Sequence, residues 1–342
     1  MTTTGTTTTE SPHAALLQLV TGGAVAKAVG IAAELNIADV LAKGPCSTEQ
    51  LAESCGAQPL ALERLLRLLA TVGVVHSEGQ RQYTLGPLGE CLRTDAPVSM
   101  RSMARMINGP LLRGIAQAEI SVRTGRPSFD EVFGAEFFEY LAANEEDGLV
   151  FSEAMTDLGR GFNMAVLDSY DFSGIGTLVD VGAGHGWLIS AVLQKYPLMR
   201  GVLFDQPQVA EIARKKLAEA DLLERCDIVG GDFFVEVPSG GDAYLLSWII
   251  HDWDEERALK ILQNCRRAMD DGGRLLLCEF VIPEGDEPHL GKVLDFWIMS
   301  CLQGRERTEA EYRELLGRAG FELDRVVPSA TPMCVIEAHP VG

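Results

Sequence analysis

Three glycines alternate with other residues directly after an apolar stretch that ends in a carboxylate. The chain from Thr177 to Gly186 reads TLVDVGAGHG, which places glycines at 182, 184 and 186. Glycine lets the backbone approach a ligand without a Cβ in the way, and a helix predicted over 187–194 points its free amides at the same place. A second apolar stretch ends at Asp205, roughly 19 residues later, where such folds hold both ribose hydroxyls. The pattern predicts a nucleotide-binding turn.

The spacing of the glycines distinguishes between nucleotide cofactors. Dinucleotide sites favour G-x-G-x-x-G, whereas this sequence has Asp-x-Gly-x-Gly-x-Gly, the pattern expected where adenosine without a pyrophosphate is bound. The sequence therefore favours S-adenosylmethionine over NAD, and an NAD enzyme on a Rossmann fold is the less favoured alternative.

Polar and aromatic residues follow three further apolar stretches. Asp232 and Phe233 follow the third predicted strand, where the acid can accept from an adenine amino group and the ring can cover its face. A turn aspartate beside core phenylalanines is the competing interpretation. His251 and Asp252 follow the fourth strand and Glu279 ends the fifth. A histidine at the carboxyl end of a parallel strand, beside a cofactor crevice, is predicted to act as a base.

Around these residues, strands and helices alternate, which predicts an α/β domain with a mostly parallel sheet. The front of the chain has a different pattern, with two short helices, the first opened by a capping box at Ser47 to Gln50, followed by a β-ribbon turning at 77–80. That outline is typical of a winged helix, so a ligand-responsive DNA regulator is an alternative. Residues 1–100 contain six Lys or Arg against nine Asp or Glu, which disfavours it.

Composition narrows the class of protein. The 342 residues suffice for two domains, and a formal charge of −20 argues against nucleic-acid or anionic-membrane partners. The eight cysteines show no metal-ligand spacing and are expected to be thiols in a reducing cytosol. With no apolar run of membrane-spanning length and no signal peptide expected, the sequence predicts a cytoplasmic protein. The threonine-rich start, Met1 to Glu10, is expected to be disordered.

The alanine-rich helix predicted from Ala14 to Leu41 has an apolar surface broader than one amphipathic stripe. Such a surface needs a partner, and we expect a homodimer.

Six motifs, in this order, resemble the caffeic-acid-type family of S-adenosylmethionine-dependent O-methyltransferases, whose bacterial members modify phenolic natural products. They are LVDVGAGHG (178–186), FDQP (204–207), GDFF (231–234), HDW (251–253), CEF (278–280) and GRERT (304–308). The resemblance covers nearly the whole chain. It implies a Rossmann-like sheet of seven strands and a winged-helix-like front domain that dimerises and closes the partner's substrate cavity. The implied organisation is a disordered tail (1–12), a dimerisation domain (13–98), a helical connector and substrate lid (99–172) and a catalytic domain (173–342).

The resemblance also implies roles for individual residues. His251 is the base that takes the acceptor hydroxyl's proton, Glu279 and Glu306 orient its imidazole, and no metal takes part. The implied cofactor-binding residues are Asp180, Gly182, Gly184, Gly186, Asp205, Gln206, Asp232, Phe233 and Ser247, and the implied substrate-binding residues are Phe151, Met155, Asp252, Asp295 and Met299. Ser247 replaces the lysine of many relatives, and His185 stands where a smaller residue is common.

The chemistry of these residues supports O-methylation with His251 as the base independently of the family resemblance. A phenol with a pKa near ~10 is a poor nucleophile at neutral pH, and an imidazole whose pKa is raised by carboxylates can accept its proton. Amines and ring carbons need little help from a base, so N- or C-methylation of an aromatic or indole-type compound is the alternative. The carboxylates of Asp252 and Asp254 are too close on one turn to hold a metal ion with His251.

Overall fold

The computed structural model describes residues 11–342, which form two compact units. The first unit comprises residues 11–110 with Glu146–Asp157, and the second comprises Leu111–Glu145 with Leu158–Gly342. The segment 99–172, predicted as one connector, has residues in both units. The tail expected over 1–10 lies outside the described residues. Residues 11 and 12, which the predicted tail included, instead begin the first helix, because the Ser11 hydroxyl accepts from the Ala14 amide at 3.3 Å.

The first unit is a small helical domain with a three-stranded antiparallel sheet in the order β1-β3-β2. Its capping box is confirmed, since Ser47 and Gln50 bond each other's backbone amides. The ribbon turns at Gln80 and Arg81, both at positive φ, and not at 77–80 as predicted, because β2 continues to Gly79. The elements are α1 (Pro12–Glu34), α2 (Ile37–Leu41), β1 (Cys46–Ser47), α3 (Thr48–Cys55), α4 (Pro59–Thr71), β2 (Val75–Gly79), β3 (Gln82–Leu85), α5 (Pro87–Glu90) and α6 (Arg101–Met106), with a π-helical turn at Ile107–Leu111.

Helix α1 carries an unusual amount of exposed apolar surface. Its buried residues, among them Ala28 and Ala32, belong to the core of the first unit, whereas Leu19 is 78% and Val20 73% exposed. The helix is long and apolar enough to cross a membrane, with a mean hydropathy of 1.6 over its best window. The expectation that no apolar run reaches that length is therefore wrong, although one such helix near an N-terminus is weak evidence for a membrane span.

The second unit contains the large sheet and its helices. Its elements are α7 (Leu112–Ile115), α8 (Ala118–Thr124), α9 (Ser128–Phe133), α10 (Phe137–Ala143), β4 (Thr177–Val181), α12 (Trp187–Lys195), β5 (Arg200–Asp205), α13 (Pro207–Glu219), β6 (Cys226–Gly230), β7 (Ala243–Ser247), a 3₁₀ turn (Ile250–Asp252), α14 (Glu255–Ala268), β8 (Arg274–Phe280), α15 (Leu290–Cys301), α16 (Glu309–Ala319), β9 (Phe321–Pro328) and β10 (Met333–Pro340). Helix α11 (Glu145–Ser169) has residues in both units.

The sheet has seven strands in the order β6-β5-β4-β7-β8-β10-β9. The first five are parallel, and β10 runs antiparallel between β8 and β9, so the predicted α/β fold class is confirmed. Neighbouring residues of β4 enter two separate cores, since Leu178 belongs to one core and Val179 to the other. The carboxyl ends of β4, β5, β7 and β8 meet at one edge of the sheet, and Gly182, Asp205, Ser247 and Glu279 lie at these strand ends.

Candidate active site

The glycine turn after β4 is joined to the end of β5 by one carboxylate. Asp205 accepts a hydrogen bond from the Gly184 amide through Oδ2 and one from the Gln206 amide through Oδ1, both at 2.7 Å. Burial raises the pKa of Asp205, and the two hydrogen bonds oppose that shift. The carboxylate is thus held in a fixed orientation at the edge of the sheet, and each oxygen keeps a lone pair for a ligand.

The three glycines of the turn have different surroundings, although all have positive φ. A Cβ at Gly182 would lie 2.5 Å from the Ile249 side chain, and one at Gly186 would lie 2.6 Å from Leu203. A Cβ at Gly184 would meet nothing within 4 Å. Gly182 and Gly186 therefore allow close packing of the chain itself, while Gly184 borders open space beside Asp205.

Two further predicted cofactor residues lie on the strands themselves, Asp180 on β4 and Ser247 on β7. Asp180 is 2% exposed, and its Oδ2 has no hydrogen-bond partner. Burial and the nearby charge of Asp205 raise the pKa of Asp180 to about 7, whereas a hydrogen bond from the Ile189 backbone lowers it. Ser247, at the end of β7, donates to the Asn163 side chain at 3.3 Å.

Asp232 and Phe233 lie on the loop after β6. Asp232 is exposed, and its Oδ1 accepts from the Phe234 amide at 2.8 Å, which is the turn role considered as the alternative. The ring of Phe233 lies 4.8 Å from that of Phe234 and 6.0 Å from that of Trp253. An aromatic cluster therefore stands beside this loop, and contact with adenine stays a prediction.

His251 is buried among three carboxylates. Its Nδ1 lies 2.8 Å from Glu306 Oε1 and 3.9 Å from Glu279 Oε2, and its Nε2 lies 3.4 Å from Asp252 Oδ1. Burial lowers the pKa of His251, but Glu306, Glu279 and Asp252 outweigh it and raise the pKa to about 10. The close bond to Glu306 uses Nδ1, so Nε2 is the nitrogen available for proton transfer.

Glu279 lies closer to the backbone amides of the 3₁₀ turn than to the imidazole of His251. Its Oε1 accepts from the amides of Ile249 at 3.1 Å and Ile250 at 2.8 Å, which fixes the 3₁₀ turn that carries His251. Burial raises the pKa of Glu279 to about 7, while the charge of His251 lowers it. Asp295, predicted to bind substrate, accepts from the Glu306 amide at 2.8 Å and so also supports the histidine's partner.

Two neighbours of His251 escaped the sequence analysis. Trp248 adopts a φ of 59°, unusual for an aromatic residue, and its ring lies 5.1 Å from the imidazole. Gly304 lies so close to the turn that a Cβ there would be 1.9 Å from the His251 carbonyl oxygen. The GRERT motif contains Gly304, but only the fold shows what it touches.

The predicted substrate-binding residues are distributed over both units. The side chain of Asp252 is 22% exposed and lines a small cleft together with Trp253 and Phe138. Met299 is half-buried on α15, and Phe151 and Met155 belong to the α11 segment of the first unit. Substrate binding by these residues stays a prediction.

Ligand atoms of His251, Glu279 and Glu306 lie within 4.8 Å of one another, a spacing that a metal ion could also use. Over residues 11–342 no other group of three such side chains meets this criterion. The eight cysteines are all free thiols. A reaction without metal stays a prediction.

The sheet order and the glycine turn place this chain among the S-adenosylmethionine-dependent methyltransferases. The chain belongs to the O-methyltransferase family, because residues 116–322 match the O-methyltransferase domain and residues 17–95 match the O-methyltransferase dimerisation domain.

Curated relatives align over nearly the whole chain. Phenazine O-methyltransferase PhzM of Lysobacter antibioticus is 45% identical over 95% of this chain and 96% of its own. The 3-amino-4-hydroxybenzoate 4-O-methyltransferase of Streptomyces cremeus is 40% identical over 91% and 86%. The 8-amino-8-demethylriboflavin N,N-dimethyltransferase of Streptomyces davaonensis is 36% identical over 90% and 89%.

Solved structures share the fold, and one of them holds S-adenosylmethionine. The crystal structure of LaPhzM superposes with a TM-score of 0.92 at 44% identity, covering 97% of this chain and 100% of that one. An O-methyltransferase of neocarzinostatin biosynthesis, solved with S-adenosylmethionine and 2-hydroxy-5-methyl naphthoic acid, gives 0.84 at 31% identity, covering 97% and 100%. The chain is a methyltransferase with S-adenosylmethionine as its methyl donor.

Proposed function

We propose that this enzyme methylates a hydroxyl group of a small aromatic natural-product intermediate and that His251 is the general base. The observation that carries the proposal is the buried pair of His251 Nδ1 and Glu306 Oε1 at 2.8 Å, which leaves Nε2 to accept a proton. Relatives named for a phenazine and an aminohydroxybenzoate support an aromatic acceptor.

The residues present fit the methyl donor. Gly184 borders open space where its backbone can approach the ligand, and Asp205 stands beside it as an acceptor for ribose hydroxyls. The rings of Phe233 and Trp253 offer apolar faces for adenine. S-adenosylmethionine supplies a methyl group on a sulfonium sulfur that leaves as a neutral thioether.

His251 acts on the acceptor. The acceptor O–H transfers its proton to Nε2 while the oxygen–methyl bond forms and the methyl–sulfur bond breaks. The resulting imidazolium is stabilised by Glu306 and, at greater distance, by Glu279. A phenol pKa near ~10 makes this proton transfer useful at neutral pH.

The test is incubation with labelled S-adenosylmethionine and a panel of phenols, amines and indoles, using the wild type and the His251→Ala variant. We expect labelled phenol ethers from the wild type and a loss of that product in His251→Ala. His339→Ala is the matched control, because this exposed histidine also pairs with an acid, Asp324, at 2.8 Å. Phenol methylation by His251→Ala at the wild-type rate would refute the proposal.

A relative named as an N,N-dimethyltransferase makes amine methylation the second candidate. An amine attacks through a lone pair and needs little help from a base. It is favoured if amines in the panel are labelled and His251→Ala leaves their rate unchanged.

The His251, Glu279 and Glu306 cluster also makes a metal test necessary. We expect dialysis against a chelator to leave the phenol methylation rate unchanged. A loss of activity restored by Mg²⁺ or Zn²⁺ would replace the base with a metal centre.

We further propose that the chain is a cytoplasmic homodimer without nucleic-acid or membrane partners. The match to a dimerisation domain over 17–95, the exposed apolar surface of α1 and the charge of −20 support this.

A further inference from the structure

A fully buried arginine lies behind the turn that carries His251. Arg307 is 0% exposed, and its Nη1 donates to the carbonyl oxygens of Ile250 at 3.3 Å and Arg305 at 3.2 Å. Its Nη2 lies 3.6 Å from Glu255, which is partly exposed. Burying a guanidinium is unfavourable unless it is paired, so a charged side chain here is poorly explained by packing alone.

The peptide groups of Ile250 are held on both sides. Its amide donates to Glu279 Oε1 at 2.8 Å, and its carbonyl accepts from Arg307. The next residue is His251, whose own carbonyl lies against Gly304. Rotation of the backbone at His251 would break a buried hydrogen bond or collide with Gly304.

Arg307 is itself anchored to the strand that supplies Glu279. Its carbonyl accepts from the Ile282 amide at 2.9 Å, and it forms a parallel bridge with Val281, directly after β8. The preceding residue, Glu306, holds the imidazole. Of these two consecutive residues, Glu306 therefore contacts the His251 ring and Arg307 contacts the backbone of the preceding residue, Ile250.

We propose that Arg307 is a positioning residue for methyl transfer. It fixes the Ile250 carbonyl and thereby keeps the His251 imidazole aligned with Glu306 and with the acceptor oxygen. The inference rests on the proposed role of His251 as base. Small misplacements of a reacting group can lower rates by up to ~10²-fold, so loss of this contact should affect turnover more than binding.

The test compares Arg307→Met with Arg318→Met. Arg318 pairs with the same Glu255 at 2.6 Å, is about half exposed, and is a matched control for loss of that ion pair. We expect kcat of Arg307→Met to fall ~10–100-fold with an unchanged Kd for S-adenosylmethionine, and kcat of Arg318→Met to stay at the wild-type value. Arg307→Lys should recover part of the loss, because an ammonium can still reach one carbonyl.

A double variant separates this inference from the proposed function. In a His251→Ala background, Arg307→Met should lower kcat no further, because it acts through the histidine. A further drop, or a wild-type kcat in Arg307→Met, overturns the positioning role while the base stands. A wild-type rate in His251→Ala alone overturns the base and, with it, this inference.

If Arg307→Met does not fold, Arg307→Lys carries the test. Its expected results are a reduced kcat and a shifted ¹⁵N signal of the His251 ring, measured by NMR. A wild-type kcat with an unshifted ring signal would contradict the proposal.

Discussion

The chemistry of His251 is determined by acids that are far apart in the sequence. Glu306 and Glu279 both lie nearest Nδ1 of the buried ring, Asp252 lies nearest Nε2, and all three raise the pKa of His251. A raised pKa makes the imidazole a stronger proton acceptor but lowers the fraction that is neutral at pH 7. The pH dependence of the reaction should therefore report the effect of these carboxylates on the pKa of His251.

We expect kcat/KM of the wild type to rise with pH and to reach half its maximum well above pH 6.5, because only neutral His251 accepts the proton. Glu306→Gln removes the largest raising influence, so the rising limb should move to lower pH and the maximum rate should fall. His251→Ala should lack the limb and lose ~10²–10⁴ in kcat. Profiles of kcat/KM from pH 6 to 10 measure these shifts. A rising limb of Glu306→Gln at the same pH as in the wild type would contradict the expectation.

Asp205 provides the prediction for the cofactor side. Asp205→Ala should weaken S-adenosylmethionine binding by ~1–3 kcal/mol, because it would remove the proposed charge-assisted hydrogen bonds to ribose together with the hydrogen bond from the Gly184 amide. Asp227→Ala, an exposed acid on the neighbouring β6, is the control. Calorimetric titration of both variants with S-adenosylmethionine measures the difference. Equal dissociation constants for the two variants would show that Asp205 does not contribute to binding of the methyl donor.

At the scale of elements, the sequence predicted those helix and strand ends that neighbouring residues determine. The helix at Thr308 begins with its capping box, and β4 ends at the glycine turn, because neighbouring residues determine both features. By contrast, the hydrogen bond from Arg307 to Ile250 joins residues that only the folded sheet brings together, and nothing local in the sequence indicates the positive φ of Trp248. Sequence patterns do not encode such contacts locally, and the hydrogen bond from the Glu306 amide to Asp295 is another contact of this kind.

A buried carboxylate joins the elements of the first unit. Glu63 on α4 accepts from Thr48, from Tyr83 at 3.1 Å and from Arg81 at 3.3 Å. Its burial alone would raise the pKa of Glu63, but these hydrogen bonds lower it below the usual 4.5. The ionised form is therefore the one that stabilises the fold.

We expect Glu63→Gln to destabilise the chain by ~1–3 kcal/mol at pH 7, because it leaves buried donors poorly paired. The lowered pKa means that this stabilisation is present above pH 4.5 and is lost as the pH falls through the folded-state pKa, so the two proteins should converge in strong acid. Thermal unfolding against pH measures the difference. The control is Glu78→Gln, at an exposed residue that accepts a hydrogen bond from Thr84, and an equal effect of both substitutions would contradict this expectation.

At the scale of the whole molecule, the exposed surface of α1 is the dominant feature. The dimerisation-domain match begins at residue 17, inside this helix. Burial against a second chain, as proposed, would account for its exposed apolar residues.

Light scattering at micromolar concentration, without detergent, should give twice the chain mass of 37.1 kDa. Val20→Glu should shift the protein toward monomer, because it would place a charge on the exposed apolar face of α1 that is proposed to form the dimer interface. Leu198→Glu, at a 98% exposed position of the second unit, should stay dimeric. A monomeric wild type, or one that requires detergent to stay in solution, would contradict the homodimer.

The glycines near the active site differ in their tolerance to substitution. At Gly304 any side chain would collide with the backbone that carries His251, so every replacement in a saturation library should be lost at the level of folded protein. At Gly184 there is space but a φ of 56°, which asparagine accepts more readily than most residues. An engineered Gly184→Asn enzyme should therefore accumulate as folded protein yet bind its methyl donor poorly, which makes it a useful inactive scaffold for capturing acceptor molecules.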